Sequence, residues 1–393
     1  MVIRTSYHPT AGSVRPVPTP GFDRLLTEHF ARIRATFPDD VRVWDAHTHL
    51  GVDEDGFAQT PEELLTAMRR HGVERCFTFP LNDPDRFPAY RVPNDRVLEW
   101  AAASDGALVP FCRLDLTAEP IAEANRCLDK GARGIKLHPR AQKFDFGERG
   151  LDPVFQLAAE RRVPILIHAG RGLPAIAEDL KHLVENHPEA QLILAHAAIA
   201  DLQHIGRTLL NHPNVLYDTS VWSNTDLRAL LATASPEQIA FASDAPYGAL
   251  AIAQIQVGTA LKRAGATPDQ VRAIMWGNAE RAARGEPAST LSPPLVTRDR
   301  TVPLQRVRVH EYLIMATTLL WTRLPDTPGA IGLARRACDT NGSGELEVVE
   351  TLLDLAEELW TQSLAIEDPD AARPYGRAAA RTLQIADSIV LDV

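Results

Sequence analysis

Eight short apolar runs, separated by longer stretches of helical periodicity, constrain this chain more than any other feature of its sequence. The runs are VRVWDAHTH (41–49), VERCFTF (73–79), LVPFCRLD (108–115), GIKLH (134–138), VPILIH (163–168), LILAH (192–196), NVLYD (214–218) and IAFASD (239–244). Between them lie segments such as TPEELLTAMRRHG (60–72), DPVFQLAAERR (152–162) and LPAIAEDLKHLVENHP (173–188), with apolar residues three and four apart. Thr60-Pro61 and Asp152-Pro153 look like an N-cap followed by a first-turn proline. Short strands alternating with helices build a parallel sheet covered by helices. Eight such units predict an α/β chain folded as a closed (β/α)8 TIM barrel, and no glycine fingerprint of the dinucleotide-binding kind follows the first run.

At 393 residues the chain is longer than one typical domain. Residues 1–20 read as an irregular arm and 21–285 as the barrel, with a helix around 23–37 ahead of the first strand and covering the barrel's bottom. The Pro, Ser and Thr-bearing stretch 286–303 reads as a linker, and 304–393 as an appended all-helical region. A formal net charge of −10 argues against nucleic acid or an anionic membrane as partner, because clustered basic residues are missing. Neither a signal peptide nor a run of about 18 apolar residues is visible, so a cytoplasmic protein with small-molecule partners is expected. Cys76, Cys112, Cys127 and Cys338 show no CxxC spacing and read as reduced core thiols.

In a parallel barrel the catalytic groups stand at the C-terminal ends of the strands, above an apolar interior. His47, His49, His138, His168, His196 and Asp244 all close apolar runs here. His47 and His49 are two apart, so on an extended strand both face the same side, toward the axis. Several desolvated imidazoles and a carboxylate at one mouth call for a cation to use their lone pairs. A mixed nitrogen and oxygen set with an open position suits one Zn²⁺, with Mn²⁺, Fe²⁺ or Co²⁺ as replacements; such an ion activates water and polarises a carbonyl.

The ordered motifs His-x-His, GIKLHP, IHAG, LAH, SDAP and MWGNAERA resemble the amidohydrolase superfamily. The nearest likeness is to its amidohydrolase-related branch, which holds TIM-barrel hydrolases and aminocarboxymuconate-semialdehyde-type decarboxylases. The resemblance spans roughly 40–285. It implies His47, His49, His168 and Asp244 as metal ligands and His196 as the residue that activates water or orients substrate, with Asp244 also accepting a proton. In binuclear relatives a carboxylated lysine of the fourth strand bridges two metals, and Lys136 stands there, two residues before His138. One metal is the expectation; a second depends on carboxylation of Lys136. Arg140, Arg171, Trp222, Asn224 and Tyr247 follow strand ends and are candidates for substrate contacts, the arginines through a substrate carboxylate.

Residues 339–350, DTNGSGELEVVE, match the spacing of an EF-hand loop. Asp339, Asn341, Ser343, Glu345, Glu347 and Glu350 are its candidate Ca²⁺ oxygens, although no second loop accompanies it and Ser343 stands where an acid is commoner. Neither a GxSxG elbow nor a P-loop is present. The expected function is metal-dependent hydrolysis of an amide, ester or lactone in a small carboxylated substrate. Non-oxidative decarboxylation is the alternative within enzymes. A reading of another class gives the C-terminal helices the main part, as a calcium-responsive or assembly module pairing a homodimer.

Overall fold

The computed structural model describes residues 20–392 apart from 55, 148, 149, 222, 296–301, 325 and 339–345. Its strands are β1 (Trp44–Val52), β2 (Ala58–Gln59), β3 (Arg75–Pro80), β4 (Leu108–Pro110), β5 (Cys112–Arg113), β6 (Ile135–Leu137), β7 (Pro164–Ile167), β8 (Gln191–Leu194), β9 (Val215–Asp218) and β10 (Ile239–Ala240). β2 forms an antiparallel pair with the end of β1, and every other pairing is parallel. The orders β2-β1-β3-β4 and β10-β9-β8-β7-β6-β5 join at two seams.

At the first seam the third apolar run divides. Phe111 N donates to Thr78 O on β3 (2.8 Å), and the next residue, Cys112, donates to Gly134 O on the β6 side (3.0 Å). At the second seam Ala46 N donates to Phe241 O (2.8 Å), Asp244 N to His47 O (2.9 Å) and His49 N to Ala245 O (2.7 Å). With β4 and β5 counted as one interrupted strand, the sheet closes as the predicted eight-stranded barrel.

Alternation along the strands divides the apolar residues into two layers. Trp44, Ala46, Phe77, Phe79, Phe111, Leu166, Ile193, Leu216 and Ala240 fill the interior. Their neighbours Val43, Cys76, Cys112, Ile135, Leu137, Ile165, Ile167, Leu192, Leu194 and Tyr217 pack outward beneath the helices. All four cysteines are free and buried.

Thr60 caps the helix Pro61–His71 through a full capping box with Glu63, as its sequence predicts. Asp152-Pro153 instead lies inside the helix Leu151–Arg161, whose cap is Gly150. The first helix, Pro20–Arg34, does not close the bottom. It packs on the barrel's flank, where Ile33 and Phe37 press on Gly258 of the helix Leu250–Ala264 so closely that a Cβ there would come within 2.3 Å of Ile33.

Helices Leu304–Trp321, Thr327–Cys338, Glu347–Ala365 and Pro369–Leu391 make up the appended region. Their core, including Leu313, Leu353, Trp360 and Leu383, takes in Phe22, Leu25 and Ile252 from the barrel side. The stretch 286–295 has neither helix nor strand, yet it is fastened to the barrel: Ala288 N donates to Pro213 O (2.9 Å), Ser292 Oγ to Glu237 (2.8 Å), and Leu295 is buried in the outer layer. Among the described residues no helix is long and apolar enough to cross a membrane.

Candidate metal centre

The two histidines of β1 reach the barrel mouth through a slip in their own strand. Trp44 and Ala46 point into the interior, so unbroken alternation would send His47 and His49 outward. The pairing of β1 with β3 shifts register between Asp45 and Thr48. Such a bulge re-aims the side chains that follow it. Asp45 holds the slip: its buried Oδ1 accepts from His47 N (3.0 Å) and from Ser243 N across the seam (3.0 Å). Beyond the bulge both imidazoles turn inward while Leu50 joins the outer layer.

His47 Nε2 and His49 Nε2 lie 3.2 Å apart, and Asp244 Oδ1 is 3.2 Å from each. Among the described residues this is the one trio of metal-type ligands within mutual reach. Asp244 sits at φ 58°, a left-handed backbone that costs a non-glycine residue about 1–3 kcal/mol and that clusters at functional sites. The turn behind it demands Gly248, where a Cβ would meet Ser243 O at 2.0 Å.

Asp218, at the end of β9, accepts from His47 Nδ1–H at 2.7 Å, which directs the His47 Nε2 lone pair at the site. Its other oxygen accepts from His196 N (2.8 Å) and Ser220 Oγ (2.5 Å). His196, also left-handed at φ 57°, donates from Nδ1 to Ser220 O (2.8 Å). Its Nε2 is then the acceptor for His168 Nδ1–H at 3.0 Å. That chain leaves His168 Nε2 as a buried lone pair with no hydrogen-bond partner among the described residues. His168 stands outside the trio, stacked on His138 with ring centroids 3.9 Å apart. His138 itself caps the short helix Pro139–Gln142, its Nδ1 accepting from Ala141 N (3.3 Å). The ladder therefore ends before His138, His168 and His196, one or two residues earlier than the apolar runs suggest.

Lys136 projects inward from β6, its Nζ 3.4 Å from His47 Nε2 and 4.6 Å from the Phe79 ring centre. Burial holds its amine down to about 7, against the opposing pull of Asp244. Burial also pushes His47, His49, His138 and His168 well below the ordinary imidazole range, reinforced by Lys136 and the other rings. The Asp244 carboxyl is driven well above its usual value, again by burial first. Neutral imidazoles with converging lone pairs beside an under-compensated carboxylate fit a divalent cation, whose charge would favour the carboxylate and use the lone pairs.

Other predicted residues lie farther out. Tyr247 sets its ring edge against His49 (5.5 Å between centroids) and donates to Asp53 Oδ2 (2.7 Å). Arg171 is largely exposed and bound to both oxygens of Asp226 (2.7 and 2.9 Å). Arg140 is exposed on its one-turn helix near Gly172. Asn224 turns to the appended region, donating to Asp387 Oδ2 (2.6 Å). Trp222 lies outside the described residues, as do Asp339, Asn341, Ser343 and Glu345, while Glu347 and Glu350 begin the helix Glu347–Ala365.

Two residues that the sequence reading passed over belong to the site. Asp218 is the first, and its signal was the shared habit of closing an apolar run. The second is Arg113, on β5. It is 2% exposed, donates to Pro80 O (3.2 Å), lies over Tyr90 (5.1 Å) and has no carboxylate partner among the described residues. Its Nε is buried without an acceptor, and its charge is felt at His138, His49 and Lys136.

A parallel barrel with a His-His-Asp trio at its mouth defines a class of metal-assisted barrel enzymes. Residues 44–282 match the model of the Amidohydrolase family, and the chain belongs to that family, among the metal-dependent enzymes of the amidohydrolase superfamily. No curated protein matches it. Among solved structures, an uncharacterised TIM-barrel protein of Bordetella bronchiseptica aligns at 16% identity over 62% of this chain and 99% of its own, with a TM-score of 0.51. The 4-oxalomesaconate hydratase of Rhodopseudomonas palustris aligns at 18% over 62% and 96% (TM-score 0.47). The 5-carboxyvanillate decarboxylase of Sphingomonas paucimobilis aligns at 16% over 62% and 99% (TM-score 0.48).

Proposed function

We propose that this chain hydrolyses an amide, ester or lactone bond in a small carboxylated molecule at a centre for one divalent metal, with His47, His49 and Asp244 as ligands and His168 Nε2 as the next donor. The observation that carries this reading is the convergence of His47 Nε2, His49 Nε2 and Asp244 Oδ1 at 3.2 Å separations. Two nitrogens and one oxygen with further positions open suit Zn²⁺, and Mn²⁺, Fe²⁺ or Co²⁺ are chemically acceptable in its place. When bound, such an ion supplies Lewis acidity toward a carbonyl oxygen and toward water.

The chain's own residues divide the remaining work. Asp218 fixes the tautomer and tilt of His47. Asp244, whose Oδ1 faces both His47 Nε2 and His49 Nε2 at 3.2 Å, is the carboxylate placed to accept a proton at the centre. His196 is locked by Ser220 and Asp218 and orients His168 and the substrate. Arg113 offers paired donors to a substrate carboxylate. With one metal, Lys136 serves as a free amine beside His47 Nε2; carboxylated, it would be the bridge to a second ion.

Lys136 also favours a second reading, decarboxylation. A buried amine 3.4 Å from His47 Nε2 stands where it can pass a proton to a carbanion left by departing CO₂. Elemental analysis of protein purified without chelator tests the common part: one divalent ion per chain is expected, and His47→Ala loses it. Metal-free wild-type protein overturns both readings. With a reactive substrate in hand, uptake of ¹⁸O from water supports hydrolysis, and CO₂ release without uptake replaces it by decarboxylation.

A further inference from the structure

The last helix, Pro369–Leu391, carries arginines at 373, 377 and 381, four apart and therefore on one face. That face meets the two loops that follow the metal-ligand strands. Arg373 Nη1 donates to Gly56 O (3.2 Å), and its Nη2 pairs with Asp370 (2.9 Å). The guanidinium carbon of Arg377 lies 3.5 Å from the centre of the Phe57 ring. Arg381 Nη2 donates to Gly248 O (3.2 Å) and approaches Pro246 O (3.5 Å).

Only Arg373 of the three has a carboxylate partner among the described residues. Arg377 Nε and Nη2 are buried and bond to nothing there. Stacking on Phe57 covers one face of the guanidinium but gives its in-plane N–H groups no acceptor. Burial, then the charges of Arg381 and Arg373, hold the Arg377 guanidinium down to about 9, and burial lowers Arg381 as well. Half-buried like charges without a paired counter-ion are unfavourable by themselves.

These two arginines share a groove of about 1020 Å³ with Leu26 of the first helix, Val52 at the end of β1 and Pro246, two residues beyond Asp244. Asp23, Glu62 and Glu63 also line the groove and pair with neither arginine. Phe57 packs on Tyr247 (4.3 Å), and Tyr247 on His49 (5.5 Å).

We propose that Arg377 and Arg381 bind the anionic group, carboxylate or phosphate, of a small molecule seated in the groove between the last helix and the barrel mouth. Paired N–H donors suit either group. The appended helices thereby contribute two guanidinium groups to a groove whose barrel side supplies Arg70 beside Glu62 and Glu63. The anion is either the distal end of a molecule whose other end reaches the metal, or a separate ligand that fixes the Phe57 and Tyr247 loops.

Calorimetric titration of the full chain with inorganic phosphate and with succinate, in low-chloride buffer, tests the site without reference to turnover, so its failure leaves the hydrolase reading standing. Saturable binding is expected, weakened at least about tenfold in Arg377→Gln/Arg381→Gln. Arg377→Lys keeps the stacked charge but not the paired donors; it falls between the two and carries the comparison should the double variant fail to fold. No saturable binding by the wild type, or variants that titrate like it, overturns the proposal. With binding present, a change in the visible spectrum of Co²⁺-loaded protein that succinate induces in the wild type and not in Arg377→Gln/Arg381→Gln assigns the anion to a molecule spanning both places. An unchanged spectrum assigns it to a separate ligand.

Discussion

The residue on which the site's geometry turns is Asp218, though it is not among the candidate ligands. It accepts from His47 Nδ1–H, His196 N and Ser220 Oγ, so one carboxylate sets the direction of the His47 imidazole and holds the backbone that carries His196. Asp218→Asn keeps the size but offers an N–H where His47 needs an acceptor. The variant is expected to fold with nearly wild-type stability yet bind its divalent metal about 10–100-fold more weakly. Competition with a chelator of known affinity measures this, and unchanged metal affinity would remove Asp218 from the centre. Arg113 makes a complementary case: Arg113→Gln should keep metal content and lose affinity for carboxylate inhibitors, whereas loss of metal would give the arginine a structural part instead.

At the scale of elements, His29 on the first helix shows how packing against the barrel sets pH behaviour. It is 5% exposed, Arg32 donates to its Nδ1 (2.8 Å), and its pKa is lowered to about 4 by burial first and Arg32 second. The unfolded chain therefore takes up a proton near 6.5 that the folded chain refuses until about 4. Stability is full above pH 6.5 and falls as pH drops toward 4, by up to about 3 kcal/mol from this group. Urea unfolding at pH 7.5 and 5 should show a smaller acid loss in His29→Gln than in wild type; equal losses would place the titrating group elsewhere.

The same scale shows what the sequence made legible. Periodicity revealed eight strands and their helices because each strand buries both faces and each helix one. It did not reveal the slip between Asp45 and Thr48, since His47 and His49 stay two apart whichever side they face. Nor did it reveal Asp218, whose partner His47 is 171 residues away. Arg113 was hidden inside LVPFCRLD, a run that reads as one strand but changes neighbour at Phe111. Arg373, Arg377 and Arg381 carry the pattern of a solvated helix face, and only the docking of that helix turns them toward the barrel.

For the whole molecule, the junction between the barrel and its helices decides whether they unfold together. The helical core includes Phe22, Leu25 and Ile252, so neither part closes its apolar surface alone. A polar clasp reinforces it. Asp387 Oδ2 accepts from Asn224 Nδ2 (2.6 Å) and Oδ1 from His310 Nδ1 (2.5 Å), with Thr225 Oγ1 at His310 Nε2 (3.2 Å). At the helix end, Asp392 takes Lys262 (2.5 Å) and Arg32 (3.1 Å). Asp387→Ala strands two buried donors at once, a loss of about 3 kcal/mol. For a chain of this length that corresponds to roughly 3–4 °C in Tm. One calorimetric transition is expected in the wild type, and the variant should shift it whole while proteolysis quickens at the loops holding Phe57 and Tyr247. Two transitions, of which only one moves, would mean that the helices are a separate folding unit and that the clasp ties together bodies able to stand apart.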